Sequence, residues 1–374
     1  MIEDLLAGAT AQGGYLFRHQ LNASGVSDAQ IRQACAGRLL TRVRHGTYVP
    51  YDLWRLADAV ERHAIVAKAV LDKLGPTVAA SHVTAAVLHG LDVWNVDLGL
   101  VHLTRVDGGG GRREAGVVFH ENRLEDSDVK EVDGRLVTAP TRTVLECACT
   151  VGIEEGMVIV SSGLRSAVVD VDLEPRLEEI GHWPGARQAR LSLRMSDGRA
   201  ETVGEVRSLY LMWRFDLPRP ELQRTLVLRN GRSARLDFLW EESRHCGEFD
   251  GMVKLGRLNP FGDGDVRALV QEKQREDAVR DRRWGMSRWG WTDLGPARRA
   301  ATARMILEGL AQSRRLYVPL STSCATARAT HFPRQRSSSR GKLAAGGRRL
   351  PRSRGKPQVR AGGRFVFRRG SLSD

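Results

Sequence analysis

Glu205, Asp237, Glu248 and Asp250, followed by Lys254 and Arg280, are the residues whose types and spacing could do chemistry in this chain. Asp237 sits in a short β-type run, Arg235-Leu-Asp237-Phe-Leu-Trp. Glu248 lies eleven residues later in a second run, Cys246-Gly-Glu-Phe. Period-two alternation along each run sends apolar residues to one face and the carboxylates to the other. A tight turn at Asp250-Gly251 closes the second run. Pairing of the two runs would bring Asp237 and Glu248 together at one edge of a sheet. Two carboxylates held that close repel unless a cation lies between them, and clustered hard oxygens suit Mg²⁺. A carboxylate-bound Mg²⁺ activates water and stabilises charge on a phosphate, so the expected chemistry is phosphodiester hydrolysis. In that reading Asp237, Glu248 and Asp250 ligate the metal. Glu205 completes the site, and Lys254 or Arg280 steadies the pentavalent phosphate. The plainer reading is that carboxylates near strand ends are solvated and do nothing.

The surrounding elements have an order of their own. Val203-Gly-Glu205-Val-Arg-Ser-Leu-Tyr-Leu-Met-Trp-Arg reads as a helix closed by Leu217-Pro-x-Pro. A charged helix is expected over 272–280 and a further strand at Trp284-Gly-Met-Ser-Arg-Trp289. This succession of helix, two strands, helix and strand resembles the PD-(D/E)xK endonuclease fold. Within it the chain is most similar to the branch related to very-short-patch-repair endonucleases. Glu205, Asp237-Phe238, Glu248-Phe-Asp250-Gly251, Asp277-x-x-Arg280 and Trp284-Gly285…Arg288 carry that resemblance. It covers about 200–295 and implies a restriction-endonuclease-like α/β/α domain that cleaves DNA with Mg²⁺. Where the core motif of that fold has Lys, this chain has Asp250, and Lys254 is the nearest substitute cation. The departure keeps open an inert nuclease fold.

The N-terminal fifty residues read as a winged helix-turn-helix. Helices are expected at 2–11, 16–21 and 27–36, with Gly13-Gly14 breaking the first and Gly37 stopping the third. Ser27-Asp-Ala-Gln30 is a capping box at the head of the third helix. Runs at 39–43 and 47–50 pair around Arg44-His-Gly46 as the wing. The third helix of such a fold enters the major groove. Its outward residues are Asp28, Gln30, Arg32 and Gln33, with Ile31 and Ala34 inward, and Gln and Arg read base edges bidentately. Arg38, Arg42, Arg44 and His45 meet phosphates, which position without specifying.

Gly13-Gly-Tyr-Leu-Phe, Ser27-x-x-Gln-Ile-Arg and Leu40-Thr-Arg-Val-Arg-His-Gly-Thr-Tyr-Val resemble the AbiEi family of antitoxins in type IV toxin–antitoxin systems. The likeness continues through Ala80-Ser-His82, Ala85-Ala-Val-Leu-His-Gly90-Leu, His102-Leu-Thr104 and Thr138-Ala-Pro-Thr-Arg142, and so covers roughly 1–170. It implies binding to double-stranded DNA at a promoter, transcription regulation, and a cognate toxin neutralised without direct contact. A toxin-binding interaction module that leaves DNA alone is the competing class.

Between these segments an α/β middle domain is expected over 51–170, with a connector over 171–200. A long amphipathic helix spans 52–75 and ends at Gly75-Pro76. Strands follow at 77–80, 101–106 and 116–120, with a helix at 82–89. Asp107-Gly-Gly-Gly-Gly-Arg-Arg113 lacks the Gly-Lys-Ser/Thr ending of a phosphate loop and reads as a hairpin tip. Ser81, His82, His89, His102 and His120 have no carboxylate at metal spacing in sequence and read as structural. Arg142, at the head of a helix over 141–149, should tie neighbouring elements together.

Length and composition bound the rest. A chain of 374 residues has room for roughly two or three domains. No stretch approaches the roughly 18 apolar residues of a membrane helix, and Met-Ile-Glu-Asp-Leu-Leu is not a signal-peptide start. Five scattered cysteines without zinc spacing suit a reducing cytoplasm. The formal charge is +14, but residues 311–374 hold 16 Lys and Arg against one acid. The remainder is close to neutral, so any contact with DNA must come from local patches. From about Ser313 onward few apolar residues and one sign of charge predict a disordered basic tail. Out-of-frame translation of GC-rich DNA would produce the same composition. The whole is expected to be a multidomain α/β protein with domains over 1–50, 51–170, 201–312 and a tail over 313–374.

Overall fold

The computed structural model describes residues 8–9, 13–107, 109–169, 173–179, 181–228, 231, 233–251, 279–319 and 332. Within them the protein is a mixed α/β structure with three sheets.

The first sheet is small, with strand order β1-β3-β2. It comprises β1 (Leu16–Phe17), β2 (Leu40–Arg44) and β3 (Thr47–Pro50), and between β1 and β2 run α1 (Arg18–Ala23) and α2 (Asp28–Ala36). Leu16 and Phe17 were expected in a helix. They are extended instead, because they pair with Tyr48 and Thr47 and bury both side chains. The capping box at α2 forms as expected: the Gln30 amide N–H donates to Ser27 Oγ at 3.3 Å, and the Ser27 N–H donates to Gln30 Oε1 at 2.8 Å. Ile31 and Ala34 are buried with Leu21 and Leu40 in the core of this unit. Most of the helix expected over 2–11 lies outside the described residues.

The helix expected over 52–75 is two helices, α3 (Tyr51–Leu56) and α4 (Ala59–Leu74). Asp58 breaks it. Its carboxylate accepts from the N–H groups of Val60 and Glu61, while Glu61 reaches back to the Asp58 N–H at 2.8 Å. The sequence Asp58-x-x-Glu61 is a capping box, which propagation of an apolar stripe alone does not reveal.

The second sheet has order β6-β7-β5-β4-β9-β8. Its elements in chain order are β4 (Val78–Ala80), α5 (His82–Leu88), β5 (Val101–Arg105), β6 (Arg112–Glu114), β7 (Val117–His120), β8 (Val129–Val132) and β9 (Arg135–Thr138). α4 covers one face through Ala67, Val70 and Leu71. α6 (Pro140–Thr150), α7 (Ile153–Arg165), α8 (Glu174–Glu179) and α9 (Ala186–Met195) follow. α6, α7 and α9 pack with α5 in one apolar cluster.

α10 (Val203–Arg214) leads into the third sheet, β10 (Glu221–Val227), β11 (Ser233–Trp240), β12 (His245–Asp250) and β13 (Gly285–Gly290), in the order β10-β11-β12-β13. The first three strands are antiparallel neighbours, and β13 runs parallel to β12. A parallel pair needs a crossover connection between its strands. α11 (Arg299–Tyr317) closes the unit. α10 and α11 share one core with Phe238, Trp240 and Trp289. α11 runs past the boundary expected at 312: Ser313 is buried and its hydroxyl meets His245 Nδ1 at 2.8 Å. Phe332 is also buried, beneath the Arg219 guanidinium.

Two polar knots join the units. Tyr15 and Arg135 both bond Asp72, tying the first sheet to α4 and β9. Glu154 on α7 accepts from Arg207 on α10 and from Arg299 on α11. Arg207 also lies over the Trp94 and Trp291 rings, at 4.0 and 5.2 Å.

Candidate functional site

The acidic positions gather where the N-terminus of α10 meets the third sheet. Thr202 caps α10, its hydroxyl accepting from the Glu205 N–H at 3.2 Å. The Glu205 carboxylate folds back over the same end, where Oε1 accepts from the Thr202 hydroxyl and Oε2 from the Glu201 N–H at 2.9 Å. Oε2 also accepts from the Gln223 side-chain amide at 2.8 Å. The same amide reaches Asp237 Oδ1 at 3.4 Å, and Asp237 Oδ2 accepts from the Phe249 N–H at 3.0 Å. Burial, and then the negative charge of Asp237, push the Glu205 carboxyl up to about 7 against those stabilising donors. A carboxyl that titrates near neutrality beside an anion is a group that can accept or give a proton under working conditions.

Gln223 holds the two acids together from an unusual backbone. Its φ is +52°, in the left-handed region that side chains with a Cβ avoid. The β10–β11 ladder is regular at Leu222↔Phe238 and at Arg224↔Leu236, and Gln223 opposite Asp237 is the break between them. Such conformations cost on the order of 1–3 kcal/mol and cluster at functional positions.

Glu248 is engaged elsewhere. Gly204 faces the Phe249 ring, which a Cβ on that glycine would meet at 1.9 Å, and Gly247 faces Trp289 and Trp240. Gly247 and Phe249 therefore face α10, and alternation turns Glu248 to the opposite side of β12. There its carboxylate meets Arg288 at 2.7 Å, from the neighbouring position of β13. Sequence reasoning expected Asp237 and Glu248 to share a cation. They lie on adjacent antiparallel strands, one step beyond the Phe238↔Gly247 pair, but Asp237 is drawn to Gln223 and Glu248 to Arg288. Asp250 ends β12 and is exposed, and Arg280 is exposed. Lys254 lies outside the described residues. Among the described residues no group of three or more His, Cys, Asp or Glu is arranged to hold a metal ion. Gln223 is the site residue that sequence reasoning missed, and Arg288, read only as part of the endonuclease-like motif, was given no role beside Glu248. The alternation of Glu221-Leu-Gln-Arg-Thr-Leu-Val is a strand signal that could have found Gln223. Nothing in residue type announces its left-handed backbone.

A second set of candidates lies on the first sheet. Gln30, Arg32 and Gln33 are exposed on α2, and Arg38, Arg42 and His45 are exposed around the wing. Asp28 is committed to an ion pair with Arg18, which holds its carboxyl below the usual range. Arg44 donates to the Ala115 carbonyl at 2.7 Å, so the wing is fastened to the β6–β7 turn.

His82 at the head of α5 stacks with His102 on β5 and His120 on β7. The rings of His82 and His120 lie 3.7 Å apart, and His102 Nδ1 meets His120 Nε2 at 2.9 Å. Burial is the main cause that lowers His82 to about 3, and His102 and His120 to about 4, so all three are neutral imidazoles. Glu146, absent from the sequence reading of this group, accepts from the His82 N–H at 3.2 Å. Arg142 bonds Glu146 and Asp128 and lies over Trp183, tying α6 to its neighbours. His89 donates to the Thr138 carbonyl at 2.7 Å. These contacts fill the polar valences of a packed interior.

No protein-family model matches the chain. Two curated proteins of Mycobacterium tuberculosis do resemble it: Uncharacterized protein Rv2248 of strain H37Rv and Uncharacterized protein MT2308 of strain CDC 1551. Each is 30% identical over 208 residues, a stretch that covers 52% of this chain and 74% of the relative. This chain belongs to their family. Neither description names an activity, so membership assigns kinship and leaves function to the geometry. No helix among the described residues is long and apolar enough to cross a membrane.

Proposed function

We propose that the chain is a DNA-binding regulator, with a winged helix-turn-helix over 1–50 that addresses duplex DNA. The observation that carries this reading is α2, which buries Ile31 and Ala34 and spends the Gln30 side-chain oxygen on its cap while presenting Arg32 and Gln33 beside exposed Arg38, Arg42 and His45. Polar residues able to read base edges stand next to cations able to hold phosphates. The AbiEi-like motifs add promoter binding and a cognate toxin as the biological setting. Gel shifts test it. Duplexes selected by the chain from a random-sequence library should lose discrimination with Arg32→Ala/Gln33→Ala, and an unchanged preference would sink the reading.

The third sheet, with α10 before it and a crossover between β12 and β13, supports a restriction-endonuclease-like fold. Two readings of its chemistry are separable. The Glu205 carboxyl poised near neutrality beside Asp237 favours phosphodiester hydrolysis, in which Asp237 would hold a Mg²⁺ that activates water. The Glu248–Arg288 pair favours an inert nuclease fold kept for binding or packing. We favour the second, because Arg288 already neutralises the carboxylate that the metal would need. Incubation of supercoiled plasmid with Mg²⁺ or Mn²⁺ decides between them. Nicking that disappears with Asp237→Ala would establish an endonuclease, whereas intact plasmid under conditions where duplex is bound supports a regulator.

A further inference from the structure

We infer that the β6–β7 hairpin and the C-terminal turn of α4 form a second DNA-contacting arm, continuing the phosphate track of the wing onto the middle of the chain. The inference rests on the reading that the wing and α2 bind duplex DNA. A path of contacts connects the two regions. Asp28, on the first turn of α2, pairs with Arg18, and the Arg18 N–H donates to the Gly46 carbonyl at the wing turn at 2.9 Å. The wing turn lies over the end of α4 with a cleft on each side. One cleft, of about 440 Å³, is bordered by Arg18, His19, His45 and Lys73. The other, of about 530 Å³, is bordered by Arg44, His45, Lys73 and Arg112. His45 and Lys73 border both, so the basic rim is continuous around the wing.

Arg44 fixes the hairpin to this rim through its bond to Ala115. Gly116, at φ +80°, lies in the turn where an added Cβ would stand 3.3 Å from the Arg44 guanidinium. Arg112 extends over the Phe119 ring at 4.8 Å, and it and Lys73 are exposed. Two acids border the clefts and both are occupied: Asp72 by Tyr15 and Arg135, Glu114 by Arg112 at 3.0 Å. Duplex DNA presents one charge per roughly 1.7 Å of axis, and a protein engages it by neutralising successive phosphates. Arg18 on α1, Arg44 and His45 at the wing, Lys73 on α4 and Arg112 on β6 border one continuous rim along which successive phosphates could lie. Lys73 and Arg112 are assigned to backbone contacts and carry no sequence preference.

The test measures binding of the full chain, by fluorescence anisotropy, to duplexes it selects from a random-sequence library and to scrambled controls, between about 50 and 200 mM salt. Each phosphate contact removed lowers the salt slope by about 0.9, so Lys73→Gln/Arg112→Gln should flatten it by about 2 and weaken both duplexes alike. Lys73→Arg/Arg112→Lys should restore the wild-type slope, which a merely structural role for these residues would not require. The basic C-terminal segment contributes equally to every variant and cancels. An unchanged slope in Lys73→Gln/Arg112→Gln, with discrimination still lost in Arg32→Ala/Gln33→Ala, overturns the arm and leaves the DNA-binding reading standing. Failure of the wild-type chain to enrich any duplex overturns both.

Discussion

Glu205 and the stacked histidines make opposite contributions to stability as pH changes. The folded Glu205 carboxyl titrates near 7, above its ordinary 4.5, so the folded state holds a proton that the unfolded chain has released. Its contribution is fully present below pH 4.5 and is lost as pH rises through 7. The Glu205→Gln variant should therefore escape a destabilisation on the order of 3 kcal/mol at pH 8. Denaturant unfolding of both proteins at pH 5 and pH 8 measures this, and equal shifts with pH in the two would remove the assignment. His82, His102 and His120 are lowered to about 3, 4 and 4, so the unfolded chain takes up protons that the folded state refuses. Their contribution is present above about 6.5 and falls as pH drops toward 4. The melting temperature should fall across that window, and less steeply in His120→Gln. A parallel fall in the two proteins would mean that the stack is not the cause.

At the scale of elements, close approach between α10 and the third sheet sets the position of the acids. Gly204 leaves room for Phe249, and Gly247 for Trp289, whose ring would lie 2.5 Å from an added Cβ. The Gly247→Ala variant should destabilise by about 1–3 kcal/mol through overpacking, measured by urea unfolding, and a neutral result would mean that β12 can shift freely. Such a shift would also move the Phe249 N–H that Asp237 accepts from. The break between α3 and α4 was readable from Asp58-x-x-Glu61, as the start of α2 was from Ser27 and Gln30. The strand at Leu16–Phe17 was not readable, because two apolar residues before a helix have no period. Only their pairing with Thr47 and Tyr48 makes them a strand.

For the whole molecule, Glu154 is the joint. It sits buried on α7 between Arg207 and Arg299, from α10 and α11. Glu154→Ala leaves two cations without their anion and should cost about 3–5 kcal/mol. Chemical denaturation checks the size, and a loss under about 1 kcal/mol would show that the arginines find other partners. The extent of α11 bears on any shortened chain. A cut at Ser313 removes the hydroxyl facing His245 and the last turn of a helix that runs to Tyr317. Composition placed the boundary too early, because Arg and Ser are common both to solvated helix faces and to disordered tails.

The sequence by itself determined the local features: the α2 capping box, the inward Ile31 and Ala34, the strands around Asp237 and Glu248, and the helix that carries Glu205. Each follows from side-chain period and backbone hydrogen bonding within a few residues. Only the tertiary structure decided which groups meet. Asp237 and Glu248 lie on adjacent strands, yet a left-handed Gln223 breaks the ladder beside one while β13 brings Arg288 to the other. Those partners come from 14 and 40 residues away in the chain, as Gln223–Asp237 and Glu248–Arg288. Sequence period fixes the face of a strand on which a charge lies. Its partner depends on register and on the chain path between strands, which are set by packing of the whole sheet against α10 and α11.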